Sequence, residues 1–196
     1  MCHMFSPMPF GAVNLSHRIV LAAQSEETPF DFYRQRVSRG GLIIAAVGEI
    51  HDEGKVALWR GLADEIHALG GRVFASLGAK TVETACKQSR LAKSAAFDGV
   101  ELALEIAQLA ALEAAAAVWG RGRVGVRPAI PAQSAVIARR LGRLERFFLH
   151  VRHIDDLGEI RRSFIGSLLV SGNLSAKEAE DIVAGRQADL VSFQGR

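Results

Sequence analysis

The stretch Phe97-Asp98-Gly99-Val100-Glu101-Leu102-Ala103 has the pattern of a short buried strand that is entered through a tight turn. Asp98 and Gly99 are residues that favour turns, and Val100 and Leu102 supply strand propensity. Apolar runs of the same kind recur along the chain, and helical segments separate them. The stretch is therefore one strand in a repeating alternation of strands and helices.

The alternation comprises eight predicted strands and seven predicted helices. The strands are predicted at residues 18–23, 42–47, 72–77, from 99, 124–127, 147–151, 167–171 and 188–193. The helices are predicted at residues 29–39, 55–69, 81–95, 106–119, 132–141, 155–164 and after a capping box at Ser175 and Glu178. Alternating units imply a parallel sheet, and eight of them imply a closed (β/α)8 TIM barrel that forms one domain over residues 1–196. An open doubly wound sheet is less favoured, because no G-x-G-x-x-G follows any strand.

Composition narrows the class of protein. The chain has 196 residues, 49% of them hydrophobic, and a formal charge of +3, which suits one domain with a large core. Lys and Arg are dispersed, so nucleic acid is not an expected partner. No secretory signal or membrane-spanning stretch is visible, and two cysteines, Cys2 and Cys86, fit a reduced, cytoplasmic setting.

The chain is short for this fold. TIM barrels typically need about 250 residues and rarely have fewer than about 200, so the loops here must be near minimal. The eighth helix is also missing, which is expected to leave the outer apolar surface of the first and eighth strands uncovered. Such a patch favours association, so a homodimer through that surface is predicted.

Several motifs resemble one known family when they are taken together. They are Phe5-Ser6-Pro7-Met8-Pro9-Phe10-Gly11, Arg18-Ile19-Val20, Tyr33-Arg34-Gln35-Arg36, Gly40-Gly41-Leu42-Ile43-Ile44, the Phe97–Leu102 strand and Val124-Gly125-Val126-Arg127. They are similar to motifs of the Old Yellow Enzyme family, FMN-dependent ene-reductases that take hydride from NAD(P)H. The resemblance implies a TIM barrel whose bottom is capped by residues 1–17 and whose C-terminal mouth holds FMN.

The resemblance also implies that the family's catalytic residues are missing. The His and Asn that bind the substrate in the family fall on Ala103 and Ile106, whose side chains cannot donate a hydrogen bond. The Tyr that donates a proton aligns near Gln108, which has no acidic proton to give. No catalytic residue is therefore expected to be intact.

Some of the family's cofactor contacts are retained. Ser25 keeps a hydroxyl at the end of the first strand, and Arg127 matches the Arg that approaches the flavin ring. Ser171, Gly172 and Asn173 match a phosphate-binding turn, and Gly195 and Arg196 resemble a second one. Two simpler interpretations stay open: Arg127 could pair with a carboxylate inside the mouth, and residues 171–173 could be an ordinary turn before a capped helix.

The remaining polar residues indicate no further chemistry. His150 and Arg152 share one face of the sixth strand and are interpreted as polar mouth residues, and the histidines, including His153, have no metal-ligand spacing. The favoured hypothesis is a minimised scaffold, trimmed by design or by decay, with at most residual FMN or phosphate binding. A phosphate-ligand protein using Gly172, Asn173 and Arg196 is a subset of it. The alternative is a functional FMN-dependent NAD(P)H oxidoreductase.

Overall fold

The computed structural model describes residues 2–23, 25–142, 147–152 and 157–193. Eight parallel strands close a barrel in chain order, and the last pairs with the first through Val191 and Ile19. The barrel strands are β3 (Ile19–Ala22), β4 (Leu42–Gly48), β5 (Arg72–Leu77), β6 (Gly99–Leu104), β7 (Val124–Pro128), β8 (Phe148–Val151), β9 (Ser167–Gly172) and β10 (Leu190–Phe193). The predicted (β/α)8 fold is confirmed.

Seven α-helices lie within the described ranges and surround the barrel. They are α1 (Phe30–Arg34), α2 (Glu53–Ala68), α3 (Val82–Ser94), α4 (Ala110–Trp119), α5 (Ser134–Leu141), α6 (Leu157–Ser163) and α7 (Ala176–Ala184). The predicted capping box is confirmed at α7, where the Ser175 hydroxyl accepts from the Glu178 backbone N–H and the Glu178 carboxylate accepts from the Ser175 N–H.

Helix α1 is shorter than predicted. It ends at Arg34 instead of near Arg39. The residues that follow form turns that are fixed by distant contacts: the Ser16 N–H donates to the Gly40 carbonyl, and the Gly40 N–H donates to the Gly70 carbonyl. Tertiary hydrogen bonds therefore override the helical pattern of this segment.

The Ala-rich helix begins later than predicted. Residues Ile106–Gln108 form a 3-10 turn, and α4 starts only at Ala110. The Gln108 side-chain oxygen accepts from the Glu105 backbone N–H at 2.9 Å, which closes the turn. This contact gives Gln108 a local structural role.

A short antiparallel hairpin, β1 (Met8–Phe10) and β2 (Val13–Leu15), lies at the N-terminal end of the barrel. Its apolar side chains pack against inward-facing barrel residues. The cluster comprises Met8, Phe10, Val13, Leu15, Val20, Ala22, Leu42, Ile44, Phe74, Phe148, Leu169 and Leu190. The Phe10 ring lies 4.9 Å from the Phe148 ring and 6.0 Å from the Phe74 ring, measured between centroids.

Two inward-facing glycines make room for these aromatic rings. A Cβ on Gly99 would lie 2.7 Å from the Phe74 ring, and a Cβ on Gly125 would lie 2.3 Å from the Phe148 ring. The prediction that Gly99 serves the turn before β6 is therefore wrong, because Ala96 is the residue with positive φ there (61°) and Gly99 is needed for its lack of a side chain.

The outer face of β3 and β10 is only partly uncovered. Ile19 and Leu21 are half-buried, and Met4 in the N-terminal 3-10 turn (His3–Phe5) joins the main core cluster. This turn packs on α7. It covers part of the outer surface of β3 and β10, and the homodimer stays a prediction that size-exclusion chromatography can test.

One carboxylate attaches the N-terminal turn to α7. Glu180 accepts hydrogen bonds from the Cys2 thiol and from the backbone N–H groups of His3 and Met4. These contacts lower the pKa of Glu180 to about 2. Glu180→Ala is therefore expected to speed amide hydrogen exchange at residues 3 and 4 by at least about tenfold, since hydrogen bonds to a charged group are lost. Asp181→Ala, one position along the same helix and exposed, is the control. Unchanged exchange in Glu180→Ala would contradict the attachment.

Candidate functional site

A layer of polar side chains lies inside the barrel above the aromatic cluster. Every second residue of a barrel strand faces the interior. In β5–β10, the residue two positions after each inward-facing apolar residue or glycine therefore also faces the interior. The layer comprises Ser76, Glu101, Arg127, His150, Ser171 and Ser192. All are buried except Arg127, whose side chain is 19% exposed.

Glu101 is the centre of this layer. Its Oε1 accepts from Ser76 Oγ at 2.9 Å and from Arg127 Nε at 3.0 Å, and its Oε2 lies 2.6 Å from His150 Nδ1. The carboxylate is almost completely buried, and a buried charge is tolerated only when it is paired and hydrogen-bonded. The partners that keep Glu101 ionised therefore come from three other strands: Ser76 from β5, Arg127 from β7 and His150 from β8.

Opposing effects set the pKa of Glu101. Burial alone would raise it, but the His150 ring, the Arg127 guanidinium and the Ser76 hydroxyl outweigh burial and lower the pKa to about 2. Glu101 is therefore a permanent anion at neutral pH.

Acid is expected to destabilise the barrel through this residue. The folded-state pKa of about 2 lies below the ordinary value of 4.5, so the stabilisation is complete above pH 4.5 and is lost as the pH falls towards 2. The difference corresponds to roughly 3 kcal/mol. Between pH 6 and pH 2.5, urea unfolding should show a loss of stability that is larger in the parent protein than in Glu101→Gln by about this amount. An equal loss in that variant would contradict the assignment.

His150 connects Glu101 to Ser171. Its Nε2 lies 2.9 Å from Ser171 Oγ on β9, while its Nδ1 contacts Glu101. The order Ser, His, carboxylate is that of a serine-hydrolase triad. Ser171 has no exposed surface, so the arrangement fixes the imidazole instead of offering a nucleophile to a substrate.

A second guanidinium lies near the first. Arg152 follows β8, and its Nε is buried without a hydrogen-bond partner among the described residues. Burial and the nearby Arg127 lower the pKa of Arg152, whereas Glu101 raises it. Among the described residues, Arg127 and Arg152 therefore both interact with the Glu101 carboxylate, and Arg152 keeps an unused donor.

Three positions match the family's catalytic residues by resemblance: Ala103, Ile106 and Gln108. Ala103 lies on β6 in register with Arg127 on β7, close to the polar layer. Ile106 packs against the outer core, and its backbone N–H donates to the Gln133 side chain. Gln108 is half-buried, and its side chain caps its own turn. The structure does not bring these three side chains together as a donor set.

The surroundings of the predicted cofactor-binding residues differ from one residue to the next. Arg127 pairs with Glu101, which is the carboxylate pairing left open by the sequence. Ser25 is exposed, and its hydroxyl accepts from the Glu27 N–H. Ser171 is buried, Gly172 ends β9, and Asn173 is exposed. The remaining predicted positions, Gly195 and Arg196, lie outside the described residues, as does His153.

Sequence reasoning missed Glu101 as a site residue. The available signal was a charged residue within a buried strand, with Arg127 and His150 near the ends of the next two strands. Because β6, β7 and β8 are neighbours, inward-facing residues on them meet inside the barrel.

The described part of the chain has neither a membrane-spanning helix nor a metal-binding cluster. Among these residues, no helix is both long and apolar enough to cross a membrane. Within the same ranges, no group of three or more His, Cys, Asp or Glu side chains is placed to hold a metal ion.

Comparison with known sequences relates part of the chain to plant reductases. It is 28% identical over 96 residues to putative 12-oxophytodienoate reductase 11 of Oryza sativa subsp. japonica, covering 38% of this chain and 26% of that protein. The values for 12-oxophytodienoate reductase 2 of Arabidopsis thaliana are the same. The chain thus spans about a quarter of the length of the curated relatives it matches. No family model matches it.

Comparison with solved structures shows the same fold over almost the whole chain. Morphinone reductase in complex with tetrahydroNAD aligns with a TM-score of 0.80 and 20% identity, covering 97% of this chain and 86% of that one. A variant of NCR from Zymomonas mobilis gives 0.82 and 23%, covering 98% and 86%. The Old Yellow Enzyme homologue NCR itself gives 0.77 and 18%, covering 97% and 88%.

The class of protein defined by the fold is the TIM barrel. The resemblance to the Old Yellow Enzyme family that the motifs indicate is confirmed over 96 residues by the 12-oxophytodienoate reductases, and morphinone reductase and NCR share the barrel fold.

Proposed function

We propose that this chain is a minimised Old Yellow Enzyme-like barrel whose mouth still binds an anionic ligand, FMN in the first instance, but no longer reduces alkenes. The observation that carries the proposal is the pair of guanidinium groups, Arg127 and Arg152, that share the carboxylate of Glu101 within the described part of the chain.

The unused donor on Arg152 supports the binding of an anion. A buried N–H without a partner costs free energy, and two neighbouring cations repel each other. An anionic group would satisfy the donor and neutralise the excess charge. FMN fits this requirement because it carries a phosphate and becomes anionic when reduced, and Arg127 and Arg152 are the residues that would hold such a group.

The missing donors support the loss of alkene reduction. Bound FMN would supply hydride transfer from a nicotinamide, but an activated alkene also needs its polar group held and a proton delivered. Ala103 has only a methyl group, Ile106 packs against the core, and Gln108 is committed to its turn. Removing one such donor typically slows an enzyme by about 100- to 1000-fold.

The proposal predicts that Arg152→Met weakens FMN binding by roughly ten- to a hundredfold, the value of one charge-assisted hydrogen bond. Flavin fluorescence during a titration measures the affinity. Arg162→Met removes an exposed guanidinium from α6 and is the matched control. The Arg152 variant should fold at least as well as the parent, because it removes an unsatisfied buried donor. Equal affinity in the two variants would exclude the mouth as the binding site.

Activity is tested separately from binding. Protein with its site filled by FMN should oxidise NADPH no faster in the presence of a simple cyclic enone than in its absence. A saturable, enone-dependent rate that Arg152→Met lowers would instead establish the alternative function, an FMN-dependent ene-reductase.

A further inference from the structure

A second basic cluster lies at the opposite end of the barrel from the polar layer. A cavity of about 680 Å³ opens between the N-terminal turn, the end of α6, the end of α7 and the start of β10. Its lining residues are His3, Ser6, Arg18, Arg161, Ile165, Val183, Ala184, Arg186, Ala188 and Asp189. Small-molecule sites typically occupy about 300–1,000 Å³, so the cavity has the size of a ligand site.

One ion pair fixes the wall of this cavity. Asp189 Oδ2 accepts from Arg161 Nη1 at 2.9 Å and from the Leu168 backbone N–H at 2.8 Å. Arg161 also donates to the carbonyl groups of Phe164 and Gly166. Arg161 therefore neutralises Asp189, the one carboxylate among the described lining residues. Both side chains also hold backbone groups in place.

Two guanidinium groups remain without a carboxylate partner in the described structure. Arg18 is held in place by Ser6 Oγ at 2.9 Å and by the Asp189 carbonyl at 3.2 Å, neither of which carries charge. Arg186 is exposed and makes no side-chain hydrogen bond to any described residue. Arg18 is thus a fixed cation, and Arg186 is a cation at the rim.

The nearest other titratable groups do not cancel this charge. His3 Nδ1 contacts Glu180 Oε1 at 2.9 Å, and the same carboxylate accepts the backbone N–H groups of His3 and Met4. Glu180 is therefore engaged by the N-terminal turn and is not among the residues that line the cavity.

We propose that this cavity binds a small phosphorylated molecule, at a site separate from the mouth. Arginine suits phosphate because its planar fork donates two parallel hydrogen bonds. Arg18 would contribute a fixed cation, and Arg186 would contact the ligand from the rim. Ser6 positions Arg18, because its oxygen accepts from Arg18 while its hydroxyl donates to the His3 carbonyl. This inference does not depend on FMN binding in the mouth.

Isothermal titration calorimetry with inorganic pyrophosphate tests the site. All measurements use the Arg152→Met background, so that the mouth does not contribute. Adding Arg186→Asn should weaken binding by roughly ten- to a hundredfold, because a charge-assisted contact is lost. Asn tolerates the left-handed backbone that Arg186 adopts (φ 55°), so the variant should fold. Adding Arg162→Met instead should leave the affinity unchanged.

Arg18→Met gives a second measurement and should abolish the heat of binding. Its unfolding transition shows whether the variant is folded, and the Arg186 variant decides the question if it is not. Pyrophosphate binding that is equal in the Arg186 and Arg162 variants would overturn the proposal. So would a complete loss of binding in Arg152→Met alone, because that result would place the anion in the mouth.

Discussion

Replacing Glu101 with Gln is expected to lower the free energy of unfolding by roughly 3–5 kcal/mol, the usual cost of breaking a buried ion pair by removing one partner. Gln keeps the shape of the side chain but cannot balance the Arg127 guanidinium. It would also remove the anion that interacts with His150 and Arg152. Urea unfolding at pH 7 measures the change.

Glu83→Gln is the matched control for this variant. Glu83 is exposed in the first turn of α3, so its replacement should change stability by no more than about 0.5 kcal/mol. A Glu101→Gln protein as stable as the Glu83 control would mean that the buried network contributes little. The polar layer would then not be the electrostatic centre of the barrel.

Phe10→Ala is expected to cost roughly 3–5 kcal/mol, because it leaves a cavity where a large ring was buried. The ring is 1% exposed and lies between Phe74 and Phe148 at the N-terminal end of the barrel. The Phe74 and Phe148 rings already occupy the space that Gly99 and Gly125 leave open, and they are expected to fill little of the cavity left by Phe10.

Phe5→Ala provides the comparison for Phe10. Phe5 lies in the same N-terminal segment but is 65% exposed, and its loss should change stability by less than about 0.5 kcal/mol. Similar thermal unfolding of the two variants would show that the hairpin is a dispensable attachment and not part of the barrel core.

The elements of the barrel could be predicted because their signals are local. Strand β5 has the predicted bounds, and the capping box at Ser175 and Glu178 marks the start of α7. Each signal depends on residues a few positions apart. The closure of eight such units into a barrel then follows from their number.

The polar layer could not be predicted in the same way because it depends on contacts across strands. Glu101 meets Arg127 and His150, which lie 26 and 49 positions further along the chain. Their meeting is set by the register of β6, β7 and β8. The early end of α1 has a similar origin, because hydrogen bonds from the hairpin region fix the residues after Arg34.

The role of Gly99 could not be predicted from the sequence either. An Asp-Gly pair is a turn signal, yet the glycine is required here by the ring of Phe74 on the neighbouring strand. Only the packed structure distinguishes a glycine that supplies backbone freedom from one that supplies space.

The arginine-rich mouth is proposed to bind FMN. A titration of the wild-type protein into FMN, followed by the visible difference spectrum of the flavin, tests it most directly. A saturable shift of the flavin bands that excess inorganic phosphate weakens is the predicted result. A flavin spectrum that stays that of free FMN at every protein concentration, while the protein remains folded, would contradict the account.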